Sequence, residues 1–159
     1  MNHPRVVVAG IGNELRHDDG VGPAVVDRVR HMADPPAALL WRGADPLDLI
    51  GVWGACKLAV IVDATRSGLA PGSVRVLELD HDTDIAAGST VPGSTHALGL
   101  AMVLRLGDAL GSLPGRVVLV GVEGSDFEPG PGLTPAVAAA VEVAAHRVLE
   151  LTSGAATCA

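Results

Sequence analysis

The sequence predicts an α/β fold, a three-layer α/β/α sandwich around a five-stranded mixed sheet with one antiparallel strand. Apolar runs of strand length alternate with amphipathic helical patterns along the 159 residues. The chain has only three aromatic residues, so its core must be packed from Val, Leu, Ile and Ala, which suits a buried parallel sheet covered on both faces. The connection at 64–72 is too short for a parallel crossover, so the strand after it is expected to run antiparallel.

The elements follow in order from local patterns. The run Val6-Val7-Val8-Ala9 predicts the first strand, and the apolar positions from Val21 to Met32, with Pro23 near their start, predict the first helix. The run from Leu58 to Val62 predicts a buried third strand, and Gly and Pro separate the other elements. We expect one domain over residues 1–159, with strands near 5–10, 37–42, 57–63, 73–79 and 116–122 and helices near 21–33, 46–55, 96–111 and 134–151.

Composition excludes several classes of protein. The formal net charge is −7 and the eleven Lys and Arg are scattered, which argues against nucleic-acid and anionic-membrane partners. No secretory signal and no apolar run of about 20 residues is present, so we expect a cytoplasmic protein. Cys56 and Cys158 are far apart and indicate neither a disulfide framework nor a zinc site, and Cys56 is expected to be a small core residue.

Two adjacent carboxylates follow the first strand. Asp18 and Asp19 lie between a glycine turn and the first helix, at the edge where open α/β sheets bind ligands. They can also cap the helix, and on spacing alone capping is the more common role. A dinucleotide fingerprint is incomplete because Leu15 stands where Gly10-x-Gly12 requires a third glycine, so nucleotide binding remains a weaker hypothesis.

Asp63 and His96 are the other candidate ligands. Asp63 ends a buried apolar run, where a carboxylate needs a metal, a helix N-terminus or a hydroxyl as partner. His96 follows the long segment Asp80–Thr95; with Ser94 or Thr95 as N-cap it would lie in the first helical turn, where the dipole would keep its imidazole neutral. With Asp19 they would form a site for divalent Ni, Zn, Fe or Mn. Taken singly, Asp63 can be a structural acceptor and His96 a surface histidine.

Other motifs fail on inspection. The run Asp80-x-Asp82-x-Asp84 imitates a calcium loop, but Ile85 and Val91 replace its required Gly and Glu, which favours a solvated acidic loop. The common serine-hydrolase, Walker and zinc-protease signatures are absent from the sequence.

Motifs spread over nearly the whole chain resemble those of the hydrogenase maturation endopeptidases, which process the large subunit of nickel-iron hydrogenases. They are Gly-Ile-Gly-Asn from residue 10, Asp-Asp-Gly-Val-Gly from 18, Val-Asp-Ala from 62, His-Ala-Leu-Gly-Leu from 96, Gly-Val-Glu from 121 and Gly-Leu-Thr-Pro from 132. The resemblance implies helices around a five-stranded mixed sheet, and a cleft in which Asp19, Asp63 and His96 bind nickel and carry catalysis. The family often has Glu at the first position, so Asp19 is one methylene shorter.

The resemblance also implies the substrate. It would be a large-subunit precursor whose nickel is already inserted, from which one peptide-bond hydrolysis removes a C-terminal extension. Asp18 is a reserve candidate for proton transfer, although capping is the preferred role. The family's glycine-rich stretch after the second strand is replaced here by Trp41–Pro46, which keeps only its Gly43. Gly43 is a candidate backbone-contact position, and the alternative is an ordinary turn residue. This departure would mean a different substrate tail, or altered or lost peptidase activity.

Two alternatives to the peptidase stay open at this stage. One is a nucleotide-binding module, and the other is a non-catalytic binding module or chaperone for the metallated precursor. Small size and no obvious apolar surface stripe favour a monomer that binds its substrate transiently.

Overall fold

The computed structural model of the chain describes residues 4–32, 38–79 and 95–157. Within these residues the strands are β1 (Val6–Ile11), β2 (Ala38–Gly43), β3 (Leu58–Thr65), β4 (Val74–Leu79) and β5 (Val117–Glu123). The α-helices are α1 (Val21–Met32), α2 (Leu49–Trp53), α3 (Ala97–Ala109) and α4 (Pro135–Thr157). Short 3-10 helices at His17–Gly20 and Pro46–Asp48 lead into α1 and α2.

The strands form one mixed sheet in the order β2-β1-β3-β5-β4. β1 pairs in parallel with β2 and β3, and β3 pairs in parallel with β5. β4 runs antiparallel to β5 at the sheet edge, which confirms the expectation from the short β3–β4 connection. The carboxyl ends of β1, β3 and β5 therefore meet at one edge of the sheet.

Alternate strand residues face two separate apolar cores. Val6 and Val8 pack on the side of α1 and α4, whereas Val7, Ala9 and Ile11 pack on the side of α2 and α3. Branched aliphatic residues and Ala fill most of both cores, with Phe127 in the first and Trp53 in the second. The predicted three-layer sandwich and its aliphatic core are confirmed.

The predicted elements lie close to the observed ones, with three corrections. The helix expected at 46–55 divides into a 3-10 turn and α2. The Asp45 carboxylate accepts the Leu47 N–H, which holds the start of this segment in a tight turn. The 3-10 helix at His17–Gly20 was not predicted. α4 continues to Thr157, beyond the expected end at 151, since Leu151 and Ala155 still pack on the core.

One expectation about the surface is wrong. α3 and its C-cap residue leave large apolar side chains exposed at every fourth position, namely Leu98, Met102, Leu106 and Leu110. The stripe is hard to see in the sequence because the buried positions of α3 are apolar as well.

No helix among the described residues is long and apolar enough to cross a membrane. The Asp80-x-Asp82-x-Asp84 run, Ser94 and Cys158 lie outside the described residues.

Candidate functional site

Three separate segments bring Asp19, Asp63 and His96 together. Asp63 lies near the carboxyl end of β3, Asp19 lies in the 3-10 turn that follows β1, and His96 immediately precedes α3. One ligand atom from each side chain lies within 4.8 Å of the other two. Among the residues that the structure describes, this is the group found with metal-ligand spacing. The expected convergence at the sheet edge is therefore present in the geometry.

Hydrogen bonds orient the side chains of this group. The Nδ1 atom of His96 lies 2.9 Å from Oδ1 of Asp63, and because an ionised carboxylate can only accept, this hydrogen bond requires the tautomer with a proton on Nδ1. Its other ring nitrogen, Nε2, lies 3.9 Å from Oδ1 of Asp19. Asp63 is fully buried and Asp19 nearly so, whereas His96 is partly exposed. The site is thus open on the histidine side.

The electrostatics of His96 differ from the expectation. His96 is itself the N-cap residue of α3, one position before the first turn, and it makes no side-chain cap. The hydrogen bond that His96 donates to Asp63 raises the pKa of His96, and the charges of Asp63 and Asp19 act in the same direction, whereas burial and Arg16 oppose them. The predicted effect of the helix dipole is therefore outweighed by the two carboxylates.

Thr95 is a site residue that the sequence interpretation considered only as a helix cap. Its hydroxyl oxygen lies 3.2 Å from Oδ1 of Asp63, 3.3 Å from Oδ1 of Asp19 and 3.0 Å from Nδ1 of His96. Its backbone N–H donates to the carbonyl of Ala64 at 3.1 Å, which fixes the chain against the end of β3. Thr95 therefore contacts all three candidate ligands. Its position directly before His96 is the one sequence signal that could have indicated this.

The donor set suits a divalent transition metal. Two carboxylate oxygens and one imidazole nitrogen are hard to borderline ligands, and three protein donors leave coordination positions open for a substrate. The observed spacing of the three atoms fits ligands that share one ion.

Comparison with known proteins gives the family. The sequence model described as hydrogenase maturation protease (HycI) matches residues 23–151, which include Asp63 and His96. The chain belongs to the hydrogenase maturation protease family. It is 34% identical over 148 residues to the Hydrogenase 2 maturation protease of Escherichia coli, covering 91% of this chain and 88% of that protein. It is 32% identical over 149 residues to the hydrogenase expression/formation protein HoxM of Cupriavidus necator, covering 92% and 73%.

Solved structures of maturation proteases share the fold. The structure of the hydrogenase maturating endopeptidase HybD from E. coli superposes with a TM-score of 0.80 at 32% identity, covering 94% of this chain and 93% of that one. A hydrogenase 2 maturation peptidase from a Thaumarchaeota archaeon gives a TM-score of 0.68 at 31% identity, covering 92% and 97%. The family resemblance drawn from the motifs is confirmed, and the chain is a member of a family of proteases.

In this maturation protease Asp18 is a structural anchor and does not cap its own helix. The fully buried carboxylate accepts the backbone N–H groups of Ser125 at 2.9 Å, Asp126 at 3.1 Å and Thr134 at 2.8 Å. Burial alone would raise the pKa of Asp18, but these hydrogen bonds outweigh it and the pKa is lowered. A carboxylate held ionised by so many donors is a poor proton acceptor, which argues against the reserve role in proton transfer.

Another buried carboxylate, that of Glu123, anchors the β3–β4 connection. It accepts the Thr65 hydroxyl at 2.7 Å, the Ser67 N–H at 2.7 Å and the Gly68 N–H at 2.9 Å. Burial raises and these bonds lower the pKa of Glu123, with a net lowering. The family motifs Gly-Val-Glu from residue 121 and Gly-Leu-Thr-Pro from 132 therefore have structural roles, since Glu123 and Thr134 each belong to a buried carboxylate network.

The glycines of the first motif allow close packing beneath the site. A Cβ atom on Gly10 would meet the backbone of Gly22, and one on Gly22 would lie 2.6 Å from the carbonyl oxygen of Val62. Gly12 has φ +151° and a Cβ there would meet the Asp19 backbone. These glycines therefore let the turn that carries Asp19 lie directly on β1 and β3, next to Asp63.

The first half of the divergent segment Trp41–Pro46 belongs to strand β2. Trp41, Arg42 and Gly43 belong to β2, and the Gly43 carbonyl accepts the Gly12 N–H at 3.0 Å. This hydrogen bond lies within the fold, and a contact of the Gly43 backbone with a substrate stays a prediction. Arg42 donates to Glu14 and Asp27 at 2.9 Å each. These bonds attach β2 to the β1–α1 connection, which contains Glu14, and to α1, which contains Asp27.

Cys56 is a core residue, as expected. It is 2% exposed, and burial raises the pKa of its thiol to about 11. The thiolate needed for nucleophilic chemistry is therefore scarce near neutral pH.

Proposed function

We propose that this protease is the endopeptidase that removes the C-terminal extension of a nickel-loaded nickel-iron hydrogenase large-subunit precursor. Asp19, Asp63 and His96 bind the nickel, which arrives as part of the substrate. The observation that carries the proposal is the group of three ligand atoms within 4.8 Å of one another at the sheet edge.

An incomplete ligand set suits a metal that the substrate brings. The precursor already supplies ligands to its nickel, so the enzyme needs only a partial shell with open positions. A precursor without nickel would lose these contacts and bind weakly. The metal group would thereby distinguish precursors that are ready for processing from those that are not.

The reaction is the hydrolysis of one peptide bond. The oxygen of water bonds to the scissile carbonyl carbon, the carbon–nitrogen bond breaks, and the released amine takes a proton. Nickel held at this site can polarise the carbonyl or lower the pKa of a bound water. The buried Asp63 orients His96 through Nδ1, which directs the other ring nitrogen towards Asp19 and the open side of the group.

The test is mass spectrometry of a nickel-loaded precursor after incubation with the protein. We expect the precursor to lose the mass of its C-terminal extension, and a metal-free precursor to remain intact. An unchanged mass of the cognate nickel-loaded precursor would contradict the peptidase, and binding without cleavage would indicate a chaperone.

Substitutions test the site residues. His96→Ala and Asp63→Asn should abolish processing, whereas His146→Ala and Asp108→Asn, which change exposed residues of the same types, should not. Retained activity in either site variant would refute the assignment. The cytoplasmic location and the monomeric state stay predictions.

A further inference from the structure

Apolar side chains lie exposed on both segments that lead to the metal group. Among the described residues the two most exposed large apolar side chains are Leu98, at 82%, and Leu15, at 68%. Leu98 is two residues after His96, and Leu15 is four residues before Asp19. Single exposed apolar residues are common on protein surfaces, but a continuous exposed apolar patch commonly marks contact with another molecule.

The exposed apolar surface continues along α3. Met102, Leu106 and Leu110 follow Leu98 at intervals of four residues, so each lies next to the one before it, in a row that winds slowly around the helix and ends at its C-cap residue, Leu110. The four side chains extend over roughly 18 Å of helix, starting beside the metal group. We call Leu15 and these four residues the apolar rim.

The outer surfaces of the helices on the opposite face of the sheet are different. α1 and α4 are joined there by an ion pair between Arg28 and Glu142, and α4 also exposes Arg147 and Glu150. Among the described residues of α1 and α4, Val143 is the large apolar side chain that is exposed, so the repeated exposed apolar residues belong to the α3 side of the molecule.

Two molecules that could cover the apolar rim, another segment of this chain and a second copy of it, fit the rim poorly. Residues 80–94 of the same chain offer only Ile85 and Val91 as large apolar side chains and contain three Asp residues, so their composition does not match the rim. A second copy would bring another net charge of −7 to the interface. A partner whose metal binds His96, by contrast, would lie beside the exposed Leu98, two residues along the chain.

We propose that the apolar rim is the docking surface for the precursor polypeptide that surrounds the nickel. This inference rests on the proposed function for the identity of the partner. The occupant is an apolar segment of the nickel-loaded large-subunit precursor, laid along α3 while its nickel contacts Asp19, Asp63 and His96. Two contacts then act together, one with the metal and one with the apolar polypeptide around it.

The experiment compares Leu98→Gln and Met102→Gln with Val143→Gln, a matched change at a half-exposed apolar residue of α4. The rim variants should raise the KM for the nickel-loaded precursor about tenfold or more with little change in kcat, since each removes one buried apolar contact. Val143→Gln should leave both constants unchanged. Titration calorimetry with nickel chloride should give the same affinity for all four proteins, because the metal ligands are intact.

Each outcome decides the inference. An unchanged KM in both rim variants, or an equal rise in Val143→Gln, overturns it. Loss of thermal stability in Leu98→Gln would mean that the chain itself covers the rim, and a wild-type dimer that the variant dissociates would identify a second copy. Both results overturn the inference.

The proposed function can fail separately. If the wild type binds the precursor without cleaving it, the dissociation constant from biolayer interferometry replaces KM and the same comparison decides the docking surface. If it neither binds nor cleaves a nickel-loaded precursor, both proposals are wrong.

Discussion

Replacing Asp18 by Asn should lower the stability of the protein much more than its affinity for nickel. The Asp18 carboxylate is fully buried and accepts three backbone N–H groups, together with the hydroxyls of Ser125 and Thr134. An amide keeps one acceptor oxygen but turns an NH₂ group towards the remaining donors. If its oxygen stays with Ser125 and Asp126, its NH₂ group faces the Thr134 N–H.

The magnitude follows from the hydrogen bonds lost. A bond to a charged acceptor contributes about 1.5–3 kcal/mol, and leaving a buried donor unpaired costs about 1–3 kcal/mol. We therefore expect Asp18→Asn to lower the free energy of unfolding by about 3 kcal/mol at pH 7. That is a large part of the roughly 5–15 kcal/mol typical of a domain. Urea unfolding followed by circular dichroism measures it.

Asp19→Asn is the matched control, one residue along the chain. Asp19 accepts the Asn13 N–H at 2.9 Å through one oxygen, and the Asn side chain can keep that bond. We expect less than about 1 kcal/mol of destabilisation, together with clearly weaker nickel binding in calorimetry. A change below 1 kcal/mol in Asp18→Asn, or the same profile for both variants, would refute the division of roles.

Acid should remove the difference between Asp18→Asn and the wild type. Because the folded pKa of Asp18 lies below its ordinary value, the ionised carboxylate stabilises the fold above its unfolded pKa of about 3.9. This contribution disappears as the pH falls through the lower folded pKa. Unfolding measured at pH 7 and at pH 3 should therefore show a larger gap at pH 7, and a gap that grows in acid would contradict the assignment.

Three further predictions address the surroundings of the site. Thr95→Val should weaken nickel binding roughly tenfold in calorimetry and Thr95→Ser should not, since residues that hold metal ligands typically contribute this much; equal affinities would remove Thr95 from the site. Gly22→Ala should lower the free energy of unfolding by at least about 2 kcal/mol, because its Cβ would overlap backbone carbonyls; a stability within error of wild type would contradict the close packing. In a Cys158→Ser background, Cys56 should resist iodoacetamide at pH 8 until urea unfolds the chain, given its thiol pKa of about 11; rapid labelling of the folded protein would contradict its burial.

Local sequence patterns predicted the elements and the three candidate ligands for a physical reason. Strand and helix periodicities can be recognised within a few consecutive residues. A polar residue at the end of an apolar run, such as Asp63, is easily recognised in the same way. The short β3–β4 connection likewise determined the direction of β4. Each of these inferences needed information from one short segment.

The supports of the site could not be predicted in this way because their partners are remote. The Asp18 carboxylate bonds to residues 107 and 116 positions away, and Glu123 bonds to Thr65 across 58 positions. No local pattern specifies which donors will surround a buried carboxylate. The raised pKa of His96 could not be predicted for the same reason, since Asp63 acts on it across 33 positions.

The different roles of Asp18 and Asp19 follow from the 3-10 turn in which they lie. With three residues per turn, successive side chains diverge by about 120°, so two neighbouring carboxylates must face different surroundings. Asp18 faces the segment at 125–134 and the start of α4, whereas Asp19 faces Thr95 and His96. Because the bonds to Asp18 tie this turn to the start of α4, they also fix the direction in which Asp19 projects. Asp18 therefore contributes to the metal group by fixing the position of Asp19. Its loss should mainly lower the stability of the protein and only secondarily lower its affinity for nickel.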